Sequence, residues 1–218
     1  VGNVLKRNGI PPAPERDQDT TWATFIKQHQ NIIAACDFFT TEVITPVGLI
    51  TYYVLFFIHI GSRKVHIAGM TPYPDEEWMK QIARNITMEG WGFLEGCKYL
   101  IHDRNSKFCN SFCSIIKSGG VEPLKLPIRS PNLNAFAERW VLSIKSECIS
   151  GLIFFGDESL LRALKEYSFH YHQERNHQGK NNCLLFPSQE YNPRDRHSKI
   201  ECRSRLGGVL KYYYRKAA

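Results

Sequence analysis

The sequence lacks the marks of a membrane-spanning or disulfide-stapled protein. No apolar run reaches the roughly 20 residues that a helix needs to cross a bilayer. The most apolar stretch, 47–60, is about two-thirds of that length, is rich in Tyr, Phe, Val and Ile, and ends at Gly61-Ser62, so a buried strand is expected there. The opening VGNVLKRNGIPPAPERD is polar and proline-rich and has no apolar core of the signal-peptide kind. The seven cysteines are odd in number and form no CxxC pair. That pattern speaks against a disulfide framework and for reduced thiols in a cytosolic setting. Cys109 and Cys113 share a helix face, but no histidine pair stands at zinc-finger spacing, so packing is their expected role. Internal repeats and low-complexity tracts are also missing, which excludes solenoids and biased linkers.

What is present is a basic chain with enough apolar content for a core. Its 218 residues carry a net charge of +7, and 43% are hydrophobic. The length suits one domain with arms, or one domain with a small second one. The charge fits a polyanionic partner, nucleic acid or an acidic membrane surface, as well as a merely basic soluble protein.

Residues 1–10 read as the end of a helix stopped by Gly9, and PPAPERDQDTT has linker composition. The chain is therefore expected to begin inside a larger protein, downstream of a DNA-binding region. A short helix is predicted over 22–30. Strands follow at 32–39, 49–60 and 64–71, the last two joined as a hairpin through Gly61-Ser62-Arg63. A helix is predicted over 75–88, with acids in its first turn and Trp78, Ile82 and Ile86 every four residues. Then come a strand at 99–102, a helix at 106–117 ended by Gly119-Gly120, a strand at 124–126, and helices at 134–149 and 158–171. This order predicts an α/β architecture, a mixed sheet flanked by helices. Three parts are expected: a helix remnant and linker over 1–30, a core over 31–187, and a basic tail over 188–218.

Three acids stand out by position. Asp37 interrupts the apolar run IIAACDFF, where an unpaired buried charge costs several kcal/mol and so calls for a metal, a partner or an edge. Asp103 ends the strand YLIHD. Glu138 lies near the start of the helix AFAERWVLSIKSE. Two aspartates from strands and a glutamate from a helix form an oxygen donor set suited to Mg2+.

The segments CDFFT, LIHDRNSKF and SPNLNAFAERW resemble the three signature blocks of the DDE integrase core of insertion-sequence transposases and retroviral integrases. The late segment YHQERNHQGKNNCLLFP is similar to that family's closing block, and the resemblance runs over about 32–187. It implies an RNase H-like fold with a five-stranded mixed sheet. It also implies a polynucleotidyl transferase that cleaves DNA strands and transfers them. Asp37, Asp103 and Glu138 would be its catalytic and metal-binding residues, with Asp37 shared between two Mg2+ or Mn2+ ions. Such ions, about 3.5–4 Å apart, clamp the scissile phosphate, one activating the nucleophile and the other stabilising the leaving oxygen. Element ends and target DNA would be the partners, with a homo-oligomer on DNA, no membrane, and a cytoplasmic, nucleoid-associated location. The second block departs from many relatives: Asp103-Arg104-Asn105 stands where they read Asp-Asn-Gly. Asn tolerates left-handed backbone angles nearly as well as Gly, and Arg104 is placed to offset charge or touch a phosphate. Two other readings stay open, an RNase H-like nuclease that only hydrolyses nucleic acid and an inactive DNA-binding remnant of a mobile element.

Further DNA contacts are expected from cations. Lys145 lies two turns beyond Glu138 on the same helix face, and Arg139 about 100° away. Arg175 sits in a polar cluster with His170, His172, Asn176 and His177, read as packing or DNA contact before zinc. The stretch 194–216 holds eight Lys or Arg against two acids, among them Lys211 and Arg215 beside Tyr212-Tyr213-Tyr214. It reads either as a phosphate-contacting and base-stacking segment or as a solvated tail with one closing strand, LKYYY. Asn132 and Asn134 are expected to cap the Glu138 helix through their side chains.

Overall fold

The computed structural model describes residues 22–126, 134–187 and 199–215. The expected helix remnant and linker before residue 22, and the Asn132 cap, lie outside the described residues.

The short helix α1 (Trp22–His29) leads into β1 (Ile33–Thr45), which turns back at Pro46-Val47 into β2 (Gly48–His59). A second turn leads to β3 (Val65–Thr71), then α2 (Glu76–Ile86), β4 (Tyr99–His102), α3 (Asn110–Ser118), β5 (Glu122–Lys125), α4 (Ala135–Glu147) and α5 (Gly156–Gln173). The five strands form one sheet in the order β3-β2-β1-β4-β5. β1, β2 and β3 are antiparallel, while β4 and β5 run parallel to β1. This is the mixed sheet that the element order predicts. β1 is longer than the predicted 32–39 strand. Beyond Phe39 exposure alternates along the strand, with Val43 fully buried, and pairing with β2 continues to Thr45↔Gly48.

Strand alternation divides β1 between two cores. Ile33, Ala35, Phe39 and Val43 face α4 and α5, whereas Ala34 and Cys36 face α2 and α3. Helix α2 begins where expected, because Asp75 Oδ1 accepts the Trp78 N–H at 2.8 Å and Glu76 and Glu77 meet the positive helix end. Trp140 fixes α4 on the sheet. It is 1% exposed, with its ring centroid 4.2 Å from that of Phe56 and 5.9 Å from that of Phe39. Asn134 stands at the N-cap of α4, but contrary to expectation its side chain makes no capping bond.

The basic segment also departs from expectation. It forms two strands, not one: β6 (Ile200–Arg205) pairs antiparallel with β7 (Leu210–Arg215). Leu210 is buried in the core beneath α5, which attaches the hairpin to the domain. Among the described residues, no helix is long and apolar enough to cross a membrane.

Candidate active site

β1 and β4 are adjacent and parallel, with Ala35 paired to Ile101. Asp37 and Asp103 each lie two residues further along, so the two aspartates stand at the same level of neighbouring strands. Alternation gives both the side of the sheet that carries α4, because Ala35 and Ile101 belong to that core. His102 points the other way, as its place beside Asp103 predicts: its ring packs on Phe108 and its Nε2 lies 3.9 Å from Cys113 Sγ.

Glu138 arrives on the first turn of α4, exposed, two residues before the Trp140 anchor. Asp103 and Glu138 are both near enough for their charges to act on Asp37. Burial raises the Asp37 pKa, the hydrogen bond from Phe38 N–H partly offsets this, and the charges of Asp103 and Glu138 raise it further, to about 6. Cys36 is fully buried beside them. Burial first, then Asp37 and Asp103, hold its thiol well above the ordinary range, so it is an inert core sulfur.

Each aspartate has one oxygen committed to backbone. Asp37 Oδ1 accepts Phe38 N–H at 2.7 Å, and Asp103 Oδ1 accepts Asn105 N–H at 3.0 Å. The turn after Asp103 is thus closed by the aspartate itself. Neither Arg104 nor Asn105 has a positive φ, so this turn needs no glycine. Arg104 donates its Nε–H to Leu126 O at 2.9 Å. No side-chain cation among the described residues pairs with Asp37, Asp103 or Glu138 within salt-bridge distance. An uncompensated group of three carboxylates in a half-buried site suits a hard cation in charge and donor type. The side chains as they stand do not close around one: among the described residues, no group of three or more His, Cys, Asp or Glu is arranged to hold a metal ion.

The expected DNA-contacting cations are dispersed. Lys145 is exposed on α4 in line with Glu138 and Leu142, and Arg139 is exposed on its flank. Arg175 is turned inward onto Glu147. Lys211 and Arg215 are exposed on β7. The histidines near Arg175 do structural work. His172 Nε2 accepts Val65 N–H at 2.9 Å, His177 Nε2 donates to Tyr171 O at 2.7 Å, and His170 bonds Glu174 at 3.1 Å. Sequence reasoning missed Arg63 and Lys180, which line a groove beside α4 with Arg139. They come from segments far apart in the chain, and only the tertiary fold joins them.

No family model matches this chain, and no curated protein matches it by sequence. Its fold does match solved structures. The catalytic domain of Mos1 mariner transposase superposes with a TM-score of 0.50 at 13% identity, over 66% of this chain and 74% of that one. The HTLV-2 integrase catalytic core domain, in complex with magnesium, gives 0.48 at 14% identity, over 66% of this chain and 87% of that one. A chain of the simian T-cell lymphotropic virus intasome in complex with PP2A regulatory subunit B56 gamma gives 0.49 at 15% identity, over 85% and 66%. Identity at this level speaks to backbone architecture and not to chemistry, and the transposase domain carries the comparison. With its mixed sheet in the order β3-β2-β1-β4-β5 and helices on both faces, the chain has an RNase H-like fold, the architecture it shares with the Mos1 transposase catalytic domain.

Proposed function

We propose that this protein is a polynucleotidyl transferase that cleaves DNA strands and joins them to target DNA, with Asp37, Asp103 and Glu138 as its catalytic and metal-binding residues. The observation that carries the proposal is that Asp37 and Asp103 each follow by two residues the paired Ala35 and Ile101, and that burial and the charges of Asp103 and Glu138 raise the Asp37 pKa to about 6. A buried acid in that state is stabilised by a nearby cation, and three carboxylates offer the oxygen ligands that Mg2+ or Mn2+ takes. Two such ions, when bound, supply charge neutralisation at the scissile phosphate and a lowered pKa for the attacking water or 3′-hydroxyl.

The chain's own residues do the positioning. Asp37 and Asp103 each keep one oxygen on a backbone N–H and leave the other for a ligand. Trp140 holds α4 against β1 and β2, so that Glu138 is presented to the aspartates from a rigid element. Lys145, two turns along the exposed face of α4, binds a backbone phosphate of the DNA near the acids. Lys211 and Arg215 on the β6–β7 hairpin extend the basic surface. On DNA the protein works as a homo-oligomer that holds two ends together, as the Asp–Asp–Glu resemblance implies.

The test uses a pre-cut donor end, a supercoiled target plasmid and Mg2+ or Mn2+. Wild type yields joined product, and Asp37→Asn, Asp103→Asn and Glu138→Gln each abolish it while DNA binding is retained. Nicking without joining would assign the chain to hydrolysis alone. Full joining by any one variant would remove that residue from the mechanism.

A further inference from the structure

The flank of α4 turned away from Glu138 borders a groove of about 490 Å³. Its walls come from three places: α4, the turn between β2 and β3, and the segment 175–180 after α5. The lining has a one-sided chemistry. It contains Arg63, Arg139, Arg175 and Lys180, and no carboxylate among the described residues. Glu147 balances Arg175 through a two-nitrogen contact, which leaves three cations in excess.

Arg63 is the most telling of these. It sits in the β2–β3 turn with φ 64, a left-handed conformation that costs a non-glycine residue energy. Its guanidinium lies 3.6 Å over the Phe136 ring, and its Nη1 is buried with no hydrogen-bond partner. Burial, with the nearby Arg139 charge, lowers the Arg63 pKa, and Tyr171 only partly offsets this. Trp140 also borders the groove. The Ser143 hydroxyl lies in the same wall. Lys180 bonds Gly61 O at 2.9 Å, which pins the 175–180 segment to the β2–β3 turn and holds the groove's shape.

Two neighbouring arginines without an acid, one of them with an N–H that has no acceptor, make a site that is poorer empty than filled. An acceptor-rich anion offsets that excess charge, and a phosphate offers its oxygens to a guanidinium fork and to an O–H donor such as Ser143. We infer that this groove binds a phosphate group, held chiefly by Arg63 and Arg139. It is separate from the carboxylate site, because α4 presents Glu138 on one side and Arg139 with Ser143 on another. The phosphate can belong to a nucleic-acid backbone, in which case the inference rests on the DNA reading above, or to a free phosphate-bearing molecule.

The experiment uses the full chain in EDTA, so that nothing depends on the carboxylates or on catalysis. Inorganic phosphate is titrated calorimetrically. A labelled short duplex is titrated by fluorescence anisotropy over a range of salt. Wild type, Arg139→Gln, Arg63→Gln and the double variant are compared, with thermal melting as the folding control. Phosphate affinity falls about tenfold or more in the double variant, since each lost contact is a charge-assisted hydrogen bond. If the phosphate is a backbone one, the salt slope of duplex binding also falls by about two. A weakened phosphate affinity with an unchanged duplex slope assigns the groove to a free phosphate compound. Arg139 is an exposed helix residue, so Arg139→Gln reports even if Arg63→Gln perturbs folding. Equal phosphate affinity and equal duplex slope in wild type and Arg139→Gln would overturn the inference.

Discussion

Arg175 grips the Glu147 carboxylate with two nitrogens, Nη2 at 2.6 Å from Oε1 and Nε at 2.8 Å from Oε2. The pair joins the last residue of α4 to the segment after α5, and Tyr167 Oη adds a longer bond to the same carboxylate at 3.3 Å. Glu147 is the main reason that the Arg175 pKa is raised, with burial opposing it. Arg175 is therefore a structural residue first, whatever it does near DNA.

Arg175→Ala should lower stability by about 1–2 kcal/mol, because the pair is only partly shielded from water and Glu147 loses a charge-assisted partner. Chemical denaturation of Arg175→Ala, Glu147→Ala and the double variant measures the coupling. The two single losses should exceed their non-interacting value and the double should cost less than their sum. Strict additivity would mean that the contact contributes nothing to stability.

Asp37 supplies a pH signature for the metal-free protein. Its pKa rises from an ordinary 3.8 to about 6. Below about pH 4 both the folded and unfolded chains carry the proton, and Asp37 causes no loss. Between about pH 4 and 6 the unfolded chain releases its proton while the folded chain keeps it, so stability falls across that window and the loss is complete above 6, where the folded chain holds an ionised carboxylate in a half-buried, acidic site. The gap corresponds to about 3 kcal/mol at about 1.36 kcal/mol per pH unit. In EDTA, Asp37→Asn should be more stable than wild type above pH 7, and the two should converge near pH 4. Urea unfolding across that range tests it, and a difference independent of pH would show that Asp37 ionisation is not the cause. Adding Mg2+ should recover the loss in wild type and not in the variant.

Much of this arrangement is legible in the sequence, because it depends on local rules. An aspartate inside IIAACDFF is conspicuous by burial cost, and Asp75 with Glu76 and Glu77 marks a helix start. Two parallel strands of similar phase place Asp37 and Asp103 on one face without further information. The β6 strand was illegible for an equally physical reason. IECRSR has only Ile200 and Cys202 as apolar residues, both exposed, and it forms because LKYYYR pairs with it and Leu210 reaches the core. The phosphate groove was illegible too. Arg63, Arg139 and Lys180 are unremarkable singly, and their meeting depends on how α4 and the 175–180 segment dock on the sheet.

The β6–β7 hairpin gives the basic surface a built scaffold. Tyr212 and Tyr214 stack with centroids 5.6 Å apart and ring planes 9° from parallel, and Arg203 lies over Tyr214 at 5.3 Å. Those rings are engaged with each other, whereas Tyr213 is 63% exposed. The expected division is that Tyr212 and Tyr214 stabilise the hairpin while Lys211, Arg215 and Tyr213 meet DNA. Lys211→Gln with Arg215→Gln should reduce the salt slope of duplex binding by about two. Tyr213→Ala should weaken single-strand binding by about 1–3 kcal/mol with little change in salt slope. A duplex slope unchanged by the double substitution would take the hairpin out of the DNA surface.

That scaffold hangs on one buried acid. The Glu174 side chain is 3% exposed and accepts from Arg205 Nη2 at 2.8 Å and Nε at 2.9 Å, while Arg205 Nη1 reaches Glu166 at 2.8 Å. Burial pushes the Glu174 pKa up, but the bonds from Arg205 and His170 outweigh it and the net shift is downward. Its stabilisation is present at neutral pH and is lost as pH falls through the acid range. Arg205→Ala leaves Glu174 buried with its main partner gone and should cost about 3–5 kcal/mol. Arg205→Met with Glu174→Leu removes both charges and should recover much of that loss. Hydrogen exchange over 200–215 distinguishes local from global damage. If the pair is the tether, Arg205→Ala accelerates exchange in the hairpin before it does so in β1, and duplex affinity falls with it although Lys211 and Arg215 are intact. Uniform acceleration through β1 and the hairpin would mean instead that Glu174 and Arg205 hold up the whole α5 face, with the hairpin carried along.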